Sequence, residues 1–439
     1  MFSQNPISKN IVLNVLISII PITYILGNLL LNLNIFLILL ISFFIFKLDF
    51  FRLKLNLIDY LIIIFFSYIT INAAYNNYFN FSYENTENVI LFKALAYLRF
   101  LLLYFVIRLL IHHNQIKYKL IFLSFGLLAL FVSADIIFQY FFRIDLLGFE
   151  VPENARRLGG PFGNELIAGS FIQRFYIFLI FYILIFSKYK KNWKFHLVSL
   201  LLILIFTLGT TMSGNRIPLI MYFLSLILIT VFEKFFRKDL IIISLIILVA
   251  TFGYIKHNEN SKYHLGGFLI NTELIFDYFK KKYSTSNDEQ ENLITNSYIR
   301  EFEAGISTWE KNKLFGGGIK SFYYTCSTID KKILSDYGGC PSHPHNYYIQ
   351  LSAELGLVGL FFTILLFVSI IFRSLKAIYS DQRMHDKMLL IPFAILLLLE
   401  IFPFKTTGSF FTTTNSTFLF IVIPFIVGLS ELKKNKYYG

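Results

Sequence analysis

The sequence is poor in charge. Only 15% of its 439 residues are Asp, Glu, Lys or Arg, against 56% hydrophobic and 18% aromatic. Mean hydropathy is +0.62. A soluble domain of this composition would lack the polar surface to cover its core and would aggregate, which excludes that class. Cysteine is scarce as well: Cys326 and Cys340 are the two in the chain. Two thiols cannot form a metal cage without added ligands. The first apolar run has no small-residue cleavage site after it, and no cleaved signal peptide is expected. Internal repeats, low-complexity tracts and a second domain are also missing. The chain reads as one integral membrane domain over residues 1–439.

What fills the sequence is long apolar runs, each able to span a bilayer as a helix. Twelve spans are predicted, at about 11–27, 29–46, 57–73, 89–111, 118–142, 166–187, 194–212, 217–236, 239–255, 346–372, 388–404 and 416–431. The fold class is therefore all-α and polytopic. Net charge is +13, but the basic residues sit mostly in short loops between apolar runs, which argues for membrane orientation and against nucleic acid. Twenty-one Lys and Arg fall on the side that includes both termini, and five (Arg143, Arg156, Arg157, Arg216 and Lys405) fall in the short loops of the other. The termini are expected in the cytoplasm. The long loop 256–345, inserted between spans nine and ten, is expected on the outer, periplasmic face of the inner membrane.

In that loop, Lys280–Asn296 is polar, Ile299–Trp309 has helical apolar period suited to the membrane surface, and Gly316-Gly317-Gly318 marks a turn. In an oxidising compartment Cys326 and Cys340 are expected to pair. The loop ends in Ser342-His343-Pro344-His345-Asn346, where span ten begins. A helix N-terminus there offers free N–H groups to an anion, and its field favours neutral imidazole. His343 and His345 can be read as a base, as metal ligands or as ordinary loop polar groups; if one is chemical, His345, abutting the helix, is favoured. Glu354, nine residues later, points to the other side of the helix and is not expected to orient His345. Gly356 and Gly359 would admit a neighbouring helix. Asp135 and Arg174, on consecutive spans, are expected to pair.

Arg157, Arg216 and Arg300 are basic residues on the face where topology disfavours them. Guanidinium binds phosphate oxygens in bidentate fashion, so a diphosphate suits them. The competing reading gives each arginine to a helix cap, to snorkelling or to a lipid headgroup.

The sequence His345-Asn346 followed by Glu354-Leu-Gly356-Leu-Val-Gly359 resembles the signature of the O-antigen ligase and O-antigen polymerase family. Arg300…Trp309…Gly316-Gly317-Gly318 resembles the lead-in to that signature. Met212-Ser-Gly-Asn-Arg216 resembles the family's Ser-x-x-Arg turn, and Arg157…Gly160-Pro-Phe-Gly-Asn164 its earlier outer loop, with Glu165 as a departure. The resemblance implies a GT-C-like membrane glycosyltransferase without cofactor or metal. Its donor would be an undecaprenyl-diphosphate-linked glycan and its acceptor, for a ligase, the lipid A core. For a polymerase the acceptor would be another lipid-linked repeat unit. It implies inversion at the anomeric carbon, with His345 as base, Arg157, Arg216 and Arg300 on the diphosphate, and Asn346, His343 and Glu354 in support. A transporter or flippase of lipid-linked sugars would also explain twelve spans, but gives no reason for a 90-residue loop ending in His345.

Overall fold

The computed structural model describes residues 6–80, 88–152, 155–186, 193–233, 237–257, 297–326, 340–380, 384–406 and 408–432. The polar stretch Lys280–Asn296 lies outside them. The described chain is helical: α1 Pro6–Ser18, α2 Ile20–Ile25, α3 Asn28–Phe46, α4 Leu57–Tyr75, α5 Val89–His112, α6 Tyr118–Phe142, α7 Ala168–Phe186, α8 Trp193–Met212, α9 Arg216–Phe232 and α10 Arg237–His257. After the long loop come α11 Ser297–Lys311, α12 Phe322–Cys326, α13 Tyr347–Ile378, α14 Met384–Glu400 and α15 Thr413–Leu429. Among the described residues the only β-type pairing is one bridge between Ile144 and Glu150.

Each predicted span falls on a described helix, the first being split at Ile19 into α1 and α2. Among the described residues seven helices are long and apolar enough to cross a membrane. Many keep apolar side chains pointing outward, among them Leu29, Phe36, Phe43 and Phe44 of α3 and Phe361 and Phe372 of α13. In water such a surface would be a liability; against lipid it is the expected exterior. Helix α7 is instead apolar and buried almost all round, as a helix in the middle of a bundle should be. It packs on α6, α8, α9 and α14, while α5 packs on α4 and α15.

One end of the bundle is closed by an ion network whose inner members, Arg108 and Asp59, are buried. Arg108 donates to Asp59 (Nε–Oδ1 3.1 Å) and to Glu431 (Nη2–Oε2 2.8 Å), and Arg373 reaches the same Glu431 (2.9 Å). Asp59 also caps its own helix, since its carboxylate accepts from the Asn56 N–H in a capping box. The opposite end carries the 143–167 segment, the 213–215 turn, His345 and residues 401–412, and it holds all the candidate site residues.

The charges inside the bundle pair differently from the expectation. Arg174 binds Glu400 of α14, not Asp135. Asp135 instead accepts from the backbone N–H of Leu146 (2.8 Å), closing the segment after α6. Comparable depth on two consecutive helices carries no information about a partner arriving 226 residues later.

Candidate active site

The start of α13 is fixed by Asn346. Its Oδ1 accepts from the N–H of Tyr348 (2.9 Å) and Ile349 (3.2 Å), and its Nδ2 donates to the carbonyl of Pro403 (2.7 Å). This is an N-cap tied to a second loop. It also corrects an expectation: two of the free N–H groups that would have received an anion at this helix start are consumed by the cap. An anion here must be held by side chains.

Tyr347 follows, and its hydroxyl donates to Glu400 Oε1 (2.6 Å). The same carboxylate takes Arg174 Nη2 (2.6 Å), Arg174 Nε (3.1 Å) and Lys405 Nζ (2.8 Å), and Arg174 also donates to Asn415 (2.7 Å). Every member is buried. Such a network is stable only when each polar group is satisfied, and here it locks α7, α13, α14 and α15 together directly below His345.

His345 itself has φ +50°, a left-handed backbone that few residues other than glycine adopt. Strain of this kind is kept where the surroundings over-determine it. Its Nε2 lies 3.6 Å from Oε1 of Glu301 on α11, an ion-pair distance rather than a tight hydrogen bond. The His343 ring packs on the His345 ring at 4.1 Å between centroids, and the Nδ1 of His343 meets the Ser342 hydroxyl (2.8 Å). Burial holds His345 below the ordinary histidine pKa. Burial pushes Glu301 up to about 7, opposed by the neighbouring Arg300. The second carboxylate oxygen of Glu301 is buried and has no hydrogen bond.

The loop offers no obvious carboxylate partner for His345 in sequence. The signal was there in the period of α11: Glu301, Gly305 and Thr308 share one face. Gly305 lets that face approach closely, because a Cβ at 305 would lie 2.4 Å from Ile349 Cγ2 and 2.8 Å from Pro344 Cβ. Ala304 and Thr308 are buried in the same contact. The apolar face of α11 is therefore spent on α13, not on the membrane surface, and the packing brings Glu301 to His345. Cys326 and Cys340 are bonded to each other, with Cα atoms 5.9 Å apart, and tie α12 to the segment leading to His343.

Glu354 faces away from His345 and holds the triple-glycine turn. Its Oε2 accepts from the N–H of Lys320 (2.5 Å) and its Oε1 from Gln350 (3.0 Å), while its carbonyl accepts from Gly318 (2.7 Å). Gly356 does not admit a helix. It breaks α13 with φ +67° and ψ −174°, and the backbone of Leu314 and Phe315 fills the space its side chain would need. Tyr68 of α4 is the neighbour at Gly359.

The arginines fall into two groups. Arg300 stands beside Glu301 on α11 and is buried. Arg157 and Arg216 are brought near each other by two docked turns: the Leu158 N–H donates to the Ser213 carbonyl (3.1 Å). Gly214, at φ +70°, leaves room for the Arg156 carbonyl 2.3 Å from where a Cβ would sit. Arg216 then opens α9, where its charge is placed by the turn. Beside them is a cavity of about 700 Å³ lined by Gln139, Glu150, Arg156, Arg157 and Asn164, and the Nε of Arg157 is buried with no hydrogen-bond partner. Helix α14 packs on α7, α9 and α13 and so links the two groups. Among the described residues no cluster of three or more His, Cys, Asp or Glu is placed to hold a metal ion.

Fold and site define a polytopic all-helical membrane protein whose polar end carries a histidine–carboxylate pair among arginines. Residues 200–364 match the family described as O-antigen ligase. Arg216, Arg300, His345, Asn346 and Glu354 all lie inside the matched segment, and Arg157 lies before it. No curated protein matches the chain.

Proposed function

We propose that the chain is an O-antigen ligase, moving a glycan from undecaprenyl diphosphate to the lipid A core at the periplasmic face of the inner membrane. A hydroxyl of the acceptor sugar attacks the anomeric carbon of the donor. The new C–O bond forms as the bond to the diphosphate breaks, and the electron pair leaves with the diphosphate, so the configuration inverts. His345 takes the hydroxyl proton. Arg157, Arg216 and Arg300 neutralise the charge growing on the leaving diphosphate.

The observation that carries this reading is the pair His345–Glu301. The tautomer protonated at Nε2, the nitrogen that faces Glu301 at 3.6 Å, leaves the Nδ1 lone pair for the acceptor proton. The imidazolium that results lies against a carboxylate with an unspent oxygen. A base placed this way is worth about 10²–10⁴ in rate. The buried network under Tyr347 keeps the helix start from drifting during the transfer.

Lipopolysaccharide from a deletion strain tests the assignment. Loss of a ligase leaves bare core while lipid-linked polymer accumulates. Core capped by a single repeat unit would instead make the protein a polymerase, and bare core with unpolymerised lipid-linked sugar trapped on the inner leaflet would make it a flippase.

A further inference from the structure

Three cations outside the proposed catalytic set gather at the same end of the bundle: Lys93 and Arg99 on α5, and Lys320 after the glycine turn. The turn is seated on α5, since a Cβ at Gly318 would lie 2.7 Å from Ile90 Cγ2. Lys320 has φ +57° and its N–H is held by Glu354. Lys93 Nζ donates to the Tyr324 hydroxyl (3.3 Å) and lies 4.7 Å over its ring. Arg99 donates to Thr413 (3.3 Å), the first residue of α15, and its buried Nε has no hydrogen-bond partner.

Among the described residues none of the three has an ion pair within 4 Å. The carboxylate that faces Lys320 and Lys93 is Glu354, and both its oxygens are already spent on Lys320 N–H and Gln350. Lys320 feels Lys93 and Arg99 as repelling neighbours, and its pKa is held below the ordinary lysine value, first by burial. A half-buried group of three positive charges around one negative charge is unfavourable by itself. It becomes favourable when an anion completes it. The neighbouring α5 residues Phe92 and Leu95 are exposed to the lipid side, so an amphiphile can approach with its headgroup at this depth.

We propose that Lys93, Arg99 and Lys320 form a second anion site that takes the phosphate headgroup of a membrane amphiphile, separate from the diphosphate site of Arg157, Arg216 and Arg300. Lysine supplies point charge and arginine a planar fork, a mixture suited to phosphate oxygens. Glu354 lies nine residues beyond His345, about 13 Å along the helix at 1.5 Å per residue. Resting on the transfer reaction proposed above, that spacing suits a reaction with two amphiphilic substrates, each needing its own headgroup contact near the base.

The test uses the full-length protein in phosphatidylcholine nanodiscs. Undecaprenyl diphosphate and dioleoyl phosphatidylglycerol are titrated separately, with bound lipid read by native mass spectrometry. Lys320→Gln and Lys93→Gln are expected to weaken binding of one of these lipids about tenfold each, the loss of one charge-assisted contact. Loss confined to undecaprenyl diphosphate identifies a substrate headgroup, and loss confined to phosphatidylglycerol identifies a resident phospholipid. Because a repelling charge is removed, the lipid-free Lys320→Gln protein should melt at or above the wild-type temperature. Unchanged affinity for both lipids in both variants overturns the site. So does a lower melting temperature without any change in lipid binding. If no preparation transfers glycan but Lys320→Gln still weakens lipid binding, the activity proposed above fails and the anion site stands.

Discussion

Arg174 of α7 grips Glu400 of α14 through two hydrogen bonds, Nη2–Oε1 at 2.6 Å and Nε–Oε2 at 3.1 Å. The same carboxylate holds the Tyr347 hydroxyl two residues after His345. A charge pair deep in the bundle is thus connected to the presentation of the base. Arg174→Met leaves Glu400 buried with Lys405 as its remaining cation, and breaking such a pair costs about 3–5 kcal/mol. Thermal unfolding in detergent should show that loss, with glycan transfer reduced alongside it. An unchanged melting temperature would mean that the network does not support the site.

Glu301 sets the pH dependence of transfer. Burial holds His345 below its ordinary pKa, so the base is neutral and competent from mildly acidic pH upward. Burial pushes Glu301 up to about 7, so its carboxylate forms only as pH rises through that value. Arg300 of α11 and His343 of the loop are the neighbouring charged and titratable groups. The imidazolium formed in the transition state gains a counter-charge above about pH 7, and kcat should rise through this range and then level. Glu301→Gln removes the upper step: the rise finishes at lower pH and the plateau drops roughly 10-fold to 100-fold, the worth of one charged contact. The midpoint does not depend on how much protein folds, so the profile stays readable in a poorly expressed variant. A Glu301→Gln profile that overlays wild type would remove Glu301 from the mechanism.

Gly214 tests how the arginines are assembled. A methyl group at 214 would press on the Arg156 carbonyl at 2.3 Å, and φ +70° strains any residue other than glycine. Gly214→Ala should separate the turn bearing Arg216 from the segment bearing Arg157, costing about 1–3 kcal/mol in stability. Donor affinity should fall although no charge has changed. Wild-type affinity in this variant would show that the two turns need not be docked for donor binding.

The Cys326–Cys340 bond closes a short loop before the histidines. In the chain-entropy account, a loop of that size contributes about 3 kcal/mol. The double Cys→Ser variant should melt correspondingly lower and transfer more slowly, since the segment leading to His345 loses its tether to α12. Peptide mass spectrometry under non-reducing conditions checks the pairing, and two free thiols in the active protein would contradict it.

The helices were legible from the sequence because lipid demands long uninterrupted apolar runs, and α13 or α5 can be read from composition alone. Single residues in turns were legible too: Arg216 beside Gly214, and Asn346 at a helix start, carry local chemistry. Contacts between distant segments were not. Glu301 meets His345 because Gly305 lets α11 press on Pro344 and Ile349, a contact set by packing across the loop. Glu400 claims Arg174 from the other end of the chain, against the nearer Asp135. The N–H groups at the start of α13 looked available to an anion until the Asn346 side chain was placed on them.

In the proposed reaction His345 removes the acceptor proton. The direct measurement is the single-turnover transfer rate of the purified protein in nanodiscs, with lipid-linked donor glycan and lipid A core, for wild type and His345→Ala. A fall of about 10²-fold or more is expected, with donor binding retained. Transfer by His345→Ala at the wild-type rate would contradict it.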